Sequence, residues 1–189
     1  MVSIRLHERA IASLAMSLAL IVSACIFNPD PGPDPDPDPD PGTLQRDSIE
    51  ETVDYVAKVW RHKLYTEYDD VLNDGYEFFP LERDAADFPW LPGSSWPKTD
   101  ELQIAEHMFD PNFSGQENPV DAIEITLTEL SRRDLGNSHV EVTCTQQGRV
   151  LTASNDGWSF DTRVVLDIGP DPDQPGLFQV YKQTEIDAV

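Results

Sequence analysis

From residue 47 onward the chain changes its periodicity once, and the change divides it into helices followed by strands. Ile49, Val53, Val56 and Trp60 recur at helical spacing, with Glu50, Glu51, Asp54 and Lys58 on the other faces. Asp47-Ser-Ile-Glu50 in front of them has the form of a capping box with Asp47 as the cap. A second, short helix is expected from Tyr65 to Leu72, burying Tyr68, Val71 and Leu72. Asn73-Asp-Gly75 should stop it, and Tyr76-Glu-Phe-Phe79 can start a strand before Pro80. Residues 81–97 read as a loop. Thr99-Asp-Glu-Leu102 then opens a third helix carrying Leu102, Ile104, Ala105, Met108 and Phe109.

After Asp110-Pro111 the apolar residues alternate. Ile123, Ile125 and Leu127 interleave with Glu124, Thr126 and Thr128; Val140, Val142 and Cys144 interleave with Glu141, Thr143 and Thr145. Trp158, Phe160, Val164, Leu166 and Ile168 share a face, and Phe178 and Val180 head a last strand. Turn signals at Asp134–Asn137, Gln147-Gly148, Asn155–Gly157 and Gly169–Gly176 bound four strands, which read as an antiparallel meander. Helices first and strands after make an α+β domain over residues 43–189, with helices packed on one face of the sheet.

The residues before this domain follow other rules. Ala10 to Val22 is an unbroken apolar or small-residue run behind Arg5 and Arg9, too short to span about 30 Å of hydrocarbon comfortably. Residues 1–24 therefore read as a secretory signal peptide. Residues 25–42 form a linker. Pro at every second position fixes φ and removes donors, and each Asp before a Pro is pushed out of the helical region. The segment is extended, mostly polyproline II, and reaches roughly 50 Å at about 3.1 Å per residue.

Its alternating acids invite a calcium reading, which fails. Asp36, Asp38 and Asp40 have the spacing of a calcium loop, but Pro41 stands where the turn glycine belongs. A second near miss, Asp171-Pro-Asp173-Gln-Pro-Gly176, has Pro175 at the fifth position and Lys182 at the twelfth. No metal site and no cofactor are expected. The chain carries a formal charge of −22, and residues 43–189 hold 11 basic and 29 acidic residues, a net of −18. Such a field repels phosphate backbones, so a nucleic-acid partner is not expected.

Two cysteines remain. Cys25 and Cys144 could be joined by a disulfide in an oxidising compartment, or Cys25 is chemically occupied and Cys144 is a small buried hydrophobe. Val22-Ser23-Ala24-Cys25 resembles the lipobox of bacterial lipoproteins, with valine in place of the usual leucine. The resemblance implies cleavage before Cys25, a lipid on its sulfur and acylation of its new amino group. It implies a cell-envelope location with the membrane as partner. Ile26 after the cysteine resembles an outer-membrane rather than an inner-membrane sorting signal.

The order of elements also resembles a known family. A long and a short helix ending in Tyr68-Asp-Asp-Val-Leu-Asn-Asp-Gly-Tyr-Glu-Phe78, an aromatic loop, a third helix and a curved sheet closing on Gly176-Leu-Phe-Gln-Val-Tyr-Lys-Gln-Thr-Glu185 are similar to the nuclear transport factor 2-like superfamily. The resemblance implies a cone of about four to six strands wrapped on the helices, enclosing a pocket. Members include isomerases, dehydratases and many non-catalytic binding domains, so the fold alone does not assign a function. If a pocket exists, its candidate lining is Trp60, Tyr76, Phe78, Trp90, Trp96, Phe109, Trp158, Tyr181 and Glu185. The competing reading is that these aromatics are the core. His62, His107 and His139 match no catalytic motif of the family, and no catalytic residue is assigned. The expectation is a non-catalytic envelope module for a small apolar ligand or an envelope protein. The alternatives are an isomerase or lyase working inside the cone and a purely structural envelope protein.

Overall fold

The computed structural model describes residues 45–81, 95–112, 119–154 and 157–187, all within one compact unit spanning Asp40–Val189. Cys25 with its lipobox, the Asp-Pro repeat and Trp90 lie outside the described residues. In chain order the elements are α1 (Ile49–Arg61), α2 (Tyr65–Val71), β1 (Leu72–Phe79), β2 (Trp96–Pro97), α3 (Lys98–Phe109), β3 (Val120–Gly136), β4 (His139–Thr152), β5 (Gly157–Pro170) and β6 (Phe178–Ile186).

Helix α1 is capped one residue later than the sequence suggested. The Ser48 hydroxyl accepts the Glu51 N–H at 3.2 Å and donates to the Glu51 carboxylate at 3.1 Å. The helix starts at Ile49, so Ser48 is the cap and Glu51, three residues on, rather than Glu50, faces it. Glu50 and Glu51 in the first turn and Lys58 and Arg61 in the last complement the helix dipole. The buried stripe includes Val53, Val56, Ala57 and Val59.

The six strands form one curved sheet in the order β2-β1-β6-β5-β4-β3. All neighbours are antiparallel except β1 and β6, which run parallel. The four later strands form the expected antiparallel meander, and β1 is not part of it: α3 and four strands separate it from β6, so its direction is free of hairpin geometry. Asn73-Asp-Gly75 does not end an element either. It sits inside β1 as an irregularity, with Gly75 N–H on the Asn73 side chain at 2.9 Å, and pairing with β6 resumes at Glu77. Gln147-Gly148, taken as a boundary, lies in mid-strand and β4 runs on to Thr152. A Cβ on Gly148 would lie 2.1 Å from the Glu124 carbonyl oxygen and 2.7 Å from the Phe160 ring, so this position needs glycine for close approach. The β3–β4 turn is tight, with Asn137 and Ser138 both at positive φ (53° and 66°), the geometry of a two-residue hairpin loop.

The core lies between the helices and the concave sheet face, where Val142, Cys144, Val164, Leu166, Ile168 and Val180 are buried. Cys144 is a free thiol there. The second calcium near miss is a structural turn. Asp171 accepts the N–H groups of Asp173 and Gln174 at 2.8 and 3.0 Å, and the Arg46 guanidinium bonds its other carboxylate oxygen at 2.9 Å. Arg46 also reaches Asp70 and the Phe178 carbonyl, tying the start of the domain to α2 and β6.

Candidate functional site

The helices do not fill the concave face. A cavity of about 420 Å³ remains between them and the sheet. Its sheet wall follows the two-residue period of a strand: Ile123, Ile125 and Leu127 on β3; Gln146 and Val150 on β4; Trp158, Phe160, Thr162 and Val164 on β5; Gln183 and Glu185 on β6. Gly148 falls on this face between Gln146 and Val150, and the Phe160 ring occupies the space its side chain lacks. The helices supply Val56 and Trp60 from α1, Tyr68 from α2, and Glu101, Ile104 and Met108 from α3.

One polar cluster stands in this mostly apolar wall. Glu101 is buried in the first turn of α3, and its two carboxylate oxygens accept the Tyr68 hydroxyl at 2.6 Å and the Trp96 indole N–H at 2.7 Å. Burial raises its pKa above the ordinary carboxylate value, while the two donated bonds act in the opposite direction. The Tyr68 phenol is pushed well up by burial and then by Glu101. Tyr76 is likewise raised, by burial and then by the charges of Glu101 and Glu185. Its hydroxyl lies close enough to Tyr68 to feel it, but not in the geometry of a formed hydrogen bond. The Thr162 hydroxyl, on the cavity wall, is buried and has no hydrogen-bond partner among the described residues. The Glu185 carboxylate accepts the Leu81 N–H at 3.3 Å.

Of the aromatic and acidic residues expected to line a pocket, Trp60, Trp158 and Glu185 are in the wall. Tyr76, Phe78, Trp96 and Phe109 are not: they are buried core. Phe78 and Trp96 stack on each other at 4.5 Å, and Phe109 meets the Trp60 ring edge to face at 5.1 Å. Phe109 thus props the wall residue Trp60, and the Trp96 indole N–H holds the wall residue Glu101. Tyr181 is turned away by an irregularity in the β5–β6 pairing, onto His139 at 4.5 Å, with its hydroxyl on the Pro170 carbonyl. His139 also contacts Asp167 at 2.9 Å. His62 closes the end of α1 and His107 is in the last turn of α3; none of the three histidines lines the cavity.

Glu101 is the residue that sequence reading missed. Its signal was present: Glu101, Ala105 and Met108 follow helical spacing, which places an acid in an apolar stripe. Gln146, Thr162 and Gln183 were also missed, since polar residues on alternating strands read as the solvent face. Among the described residues no group of three or more His, Cys, Asp or Glu is arranged to hold a metal ion. Among the same residues no helix is long and apolar enough to cross a membrane.

No protein-family model and no curated protein matches the sequence. Solved structures do match the fold. A nuclear transport factor 2-like protein of unknown function in nutrient uptake from Rhodospirillum rubrum superposes with a TM-score of 0.54 at 9% identity, over 75% of this chain and 99% of that one. A ketosteroid isomerase-like protein from Erwinia carotovora atroseptica gives 0.52 at 9% identity, over 75% and 94%. A hexachlorocyclohexane dehydrochlorinase gives 0.53 at 9% identity, over 75% and 83%. The domain therefore has the nuclear transport factor 2-like fold, which hosts enzymes and proteins of unknown function alike.

Proposed function

We propose that this protein is a lipid-anchored component of the bacterial envelope whose cone binds a small, largely apolar molecule without transforming it. The carrying observation is the 420 Å³ cavity with an apolar wall and a few convergent polar groups, the usual make-up of a small-molecule site of about 300–1,000 Å³. Binding without turnover is favoured because Glu101 already has both oxygens engaged by Tyr68 and Trp96, which makes it a brace between α2, β2 and α3. The lipobox supports the anchor, and the Asp-Pro repeat holds the domain clear of the bilayer.

Two measurements test the reading. The full-length protein in detergent is titrated with the neutral dye N-phenyl-1-naphthylamine, and saturable one-site binding lost in Ile125→Trp, which fills the cavity, is expected. A linear, non-saturating response in the wild type overturns it. Metabolic labelling with palmitate should mark the wild type and leave Cys25→Ala unlabelled and released from membranes.

A second reading, general acid–base catalysis of an isomerisation or elimination, draws on one observation. Glu101 reaches the cavity, and burial raises its pKa above the ordinary carboxylate value. Glu101→Gln separates the two, since it leaves binding intact in a carrier and abolishes turnover in an enzyme.

A further inference from the structure

We propose that the molecule taken by the cone is elongated and uncharged, an apolar body ending in a hydroxyl or carbonyl group that Gln146 and Thr162 receive together. This deepens the reading of the cone as a small-molecule site and rests on it. The register of the sheet sorts the cavity wall into rows of different polarity. Ile123, Val150 and Trp158 lie side by side across β3, β4 and β5, and all three line the cavity. Two residues along each strand come Ile125, Gly148 and Phe160, where the absent side chain of Gly148 leaves the Phe160 ring its room. The next row is Leu127, Gln146 and Thr162, and it is the first of the three to carry polar groups. Trp158 is 53% exposed, which puts the apolar row at the open end, whereas the Thr162 hydroxyl is buried. Four residues of strand separate the two, roughly 13 Å at about 3.3 Å each, which suits a ring body entering with its polar end first.

Charge is not what this wall selects for. Among the described residues no Lys, Arg or His lines the cavity, so a carboxylate or phosphate meets no counter-ion. The acids of the wall are already engaged. Glu101 holds the Tyr68 hydroxyl and the Trp96 indole N–H, and Glu185 holds the Leu81 N–H and makes a further interaction. An ammonium would have to displace those donors, and desolvating it without a partner costs more than desolvating a hydroxyl. Gln146 offers a carboxamide with N–H donors and an acceptor oxygen, and the Thr162 hydroxyl beside it can donate or accept. As register partners on one face, their β-carbons stand about 4.5–5.5 Å apart, close enough for both side chains to reach one ligand oxygen. The pair makes the subsite. Among the described residues the Thr162 hydroxyl has no hydrogen-bond partner, and the ligand group supplies one.

The test compares probes that share a naphthalene body, by calorimetry on the full-length protein in detergent at neutral pH. Each affinity is corrected for partition of the probe into detergent, measured without protein. 1-Naphthalenemethanol carries a hydroxyl, 1-ethylnaphthalene a methyl in its place, 1-naphthylmethylamine an ammonium and 1-naphthaleneacetic acid a carboxylate. The wild type should bind the alcohol roughly threefold more tightly than the amine and roughly tenfold more tightly than the acid. Joint replacement Gln146→Leu and Thr162→Val keeps the wall's shape and removes its hydrogen bonds. Alcohol affinity should then fall roughly fivefold, while the hydrocarbon stays within about twofold and so shows that the variant is folded. An equal effect on alcohol and hydrocarbon, in the double variant or, should that not fold, in Thr162→Val alone, overturns the assignment. So does tighter wild-type binding of the amine or the acid than of the alcohol. Either result leaves the small-molecule reading standing, whereas no binding of any probe to the wild type overturns both.

Discussion

Replacing Arg46 by methionine tests whether one guanidinium holds the start of the domain in place. Arg46 is 3% exposed and bonds the Asp171 carboxylate, the Phe178 carbonyl and Asp70. The Asp171 side chain is 1% exposed and that of Asp70 is 46% exposed, so the two ion pairs are unequal. Methionine keeps most of the apolar stem but leaves Asp171 with only the N–H groups of Asp173 and Gln174. Breaking a buried pair from one side costs about 3–5 kcal/mol, whereas the half-exposed Asp70 pair accounts for about 0–1 kcal/mol. At about 2–4 °C per kcal/mol for a chain of this size, the melting temperature should fall by roughly 6–20 °C. Urea unfolding followed by tryptophan fluorescence gives the same quantity, and an unchanged m-value shows that stability alone has moved. Asp70→Asn should cost less than about 1 kcal/mol, and adding Asp171→Asn to Arg46→Met should recover part of the loss. A loss below about 1 kcal/mol for Arg46→Met refutes the reasoning, because it would mean Asp171 is satisfied without the guanidinium.

The other predictions concern the cavity and the core. Glu101 has a folded-state pKa raised above its ordinary 4.5, so its protonated form stabilises the fold fully below that value and the advantage is lost as pH rises through the folded-state pKa. The stability of the wild type relative to Glu101→Gln should therefore fall with rising pH in urea titrations, and a flat difference counts against the buried carboxyl. Cys144 is fully buried with its thiol pushed up to about 11, so in a Cys25→Ala background it should resist a thiol-reactive disulfide at mildly alkaline pH and react fully in urea. Rapid labelling of the folded protein would refute that placement. Gly148→Ala forces a Cβ against the Glu124 backbone oxygen and the Phe160 ring, so a loss of about 1–3 kcal/mol and weaker dye binding are expected. An alanine variant of unchanged stability and dye affinity would show that β3 and Phe160 do not approach as closely as described.

Much of the fold was legible because its signals are local. Capping chemistry located the start of α1 to within a residue, 3.6-residue spacing marked α1 and α3, and two-residue alternation placed Ile123, Ile125, Trp158 and Phe160 on the face that became the cavity wall. Both are properties of a few consecutive residues, so they survive without knowledge of the rest of the chain. Turn chemistry was less dependable. Asn73-Asp-Gly75 and Gln147-Gly148 carry turn residues, yet ladder pairing to β6 on one side and to β3 and β5 on the other keeps both inside strands.

The site divides along the same line. The sequence by itself determined that aromatics and acids of a few elements would meet near one sheet face, that the domain would be strongly acidic, and that helices would cover the strands. Only the tertiary structure decided which of those residues face empty space. Phe78, Trp96 and Phe109 have the same composition signal as Trp60 and Trp158, but they are consumed by stacking on one another and on Trp60. Whether an aromatic packs or lines depends on depth between layers, which is set by elements far apart in the chain. Glu101 shows the reason most plainly. Its partners Tyr68 and Trp96 come from α2 and β2, and only their convergence turns an ordinary first-turn helix acid into a buried carboxyl at a cavity.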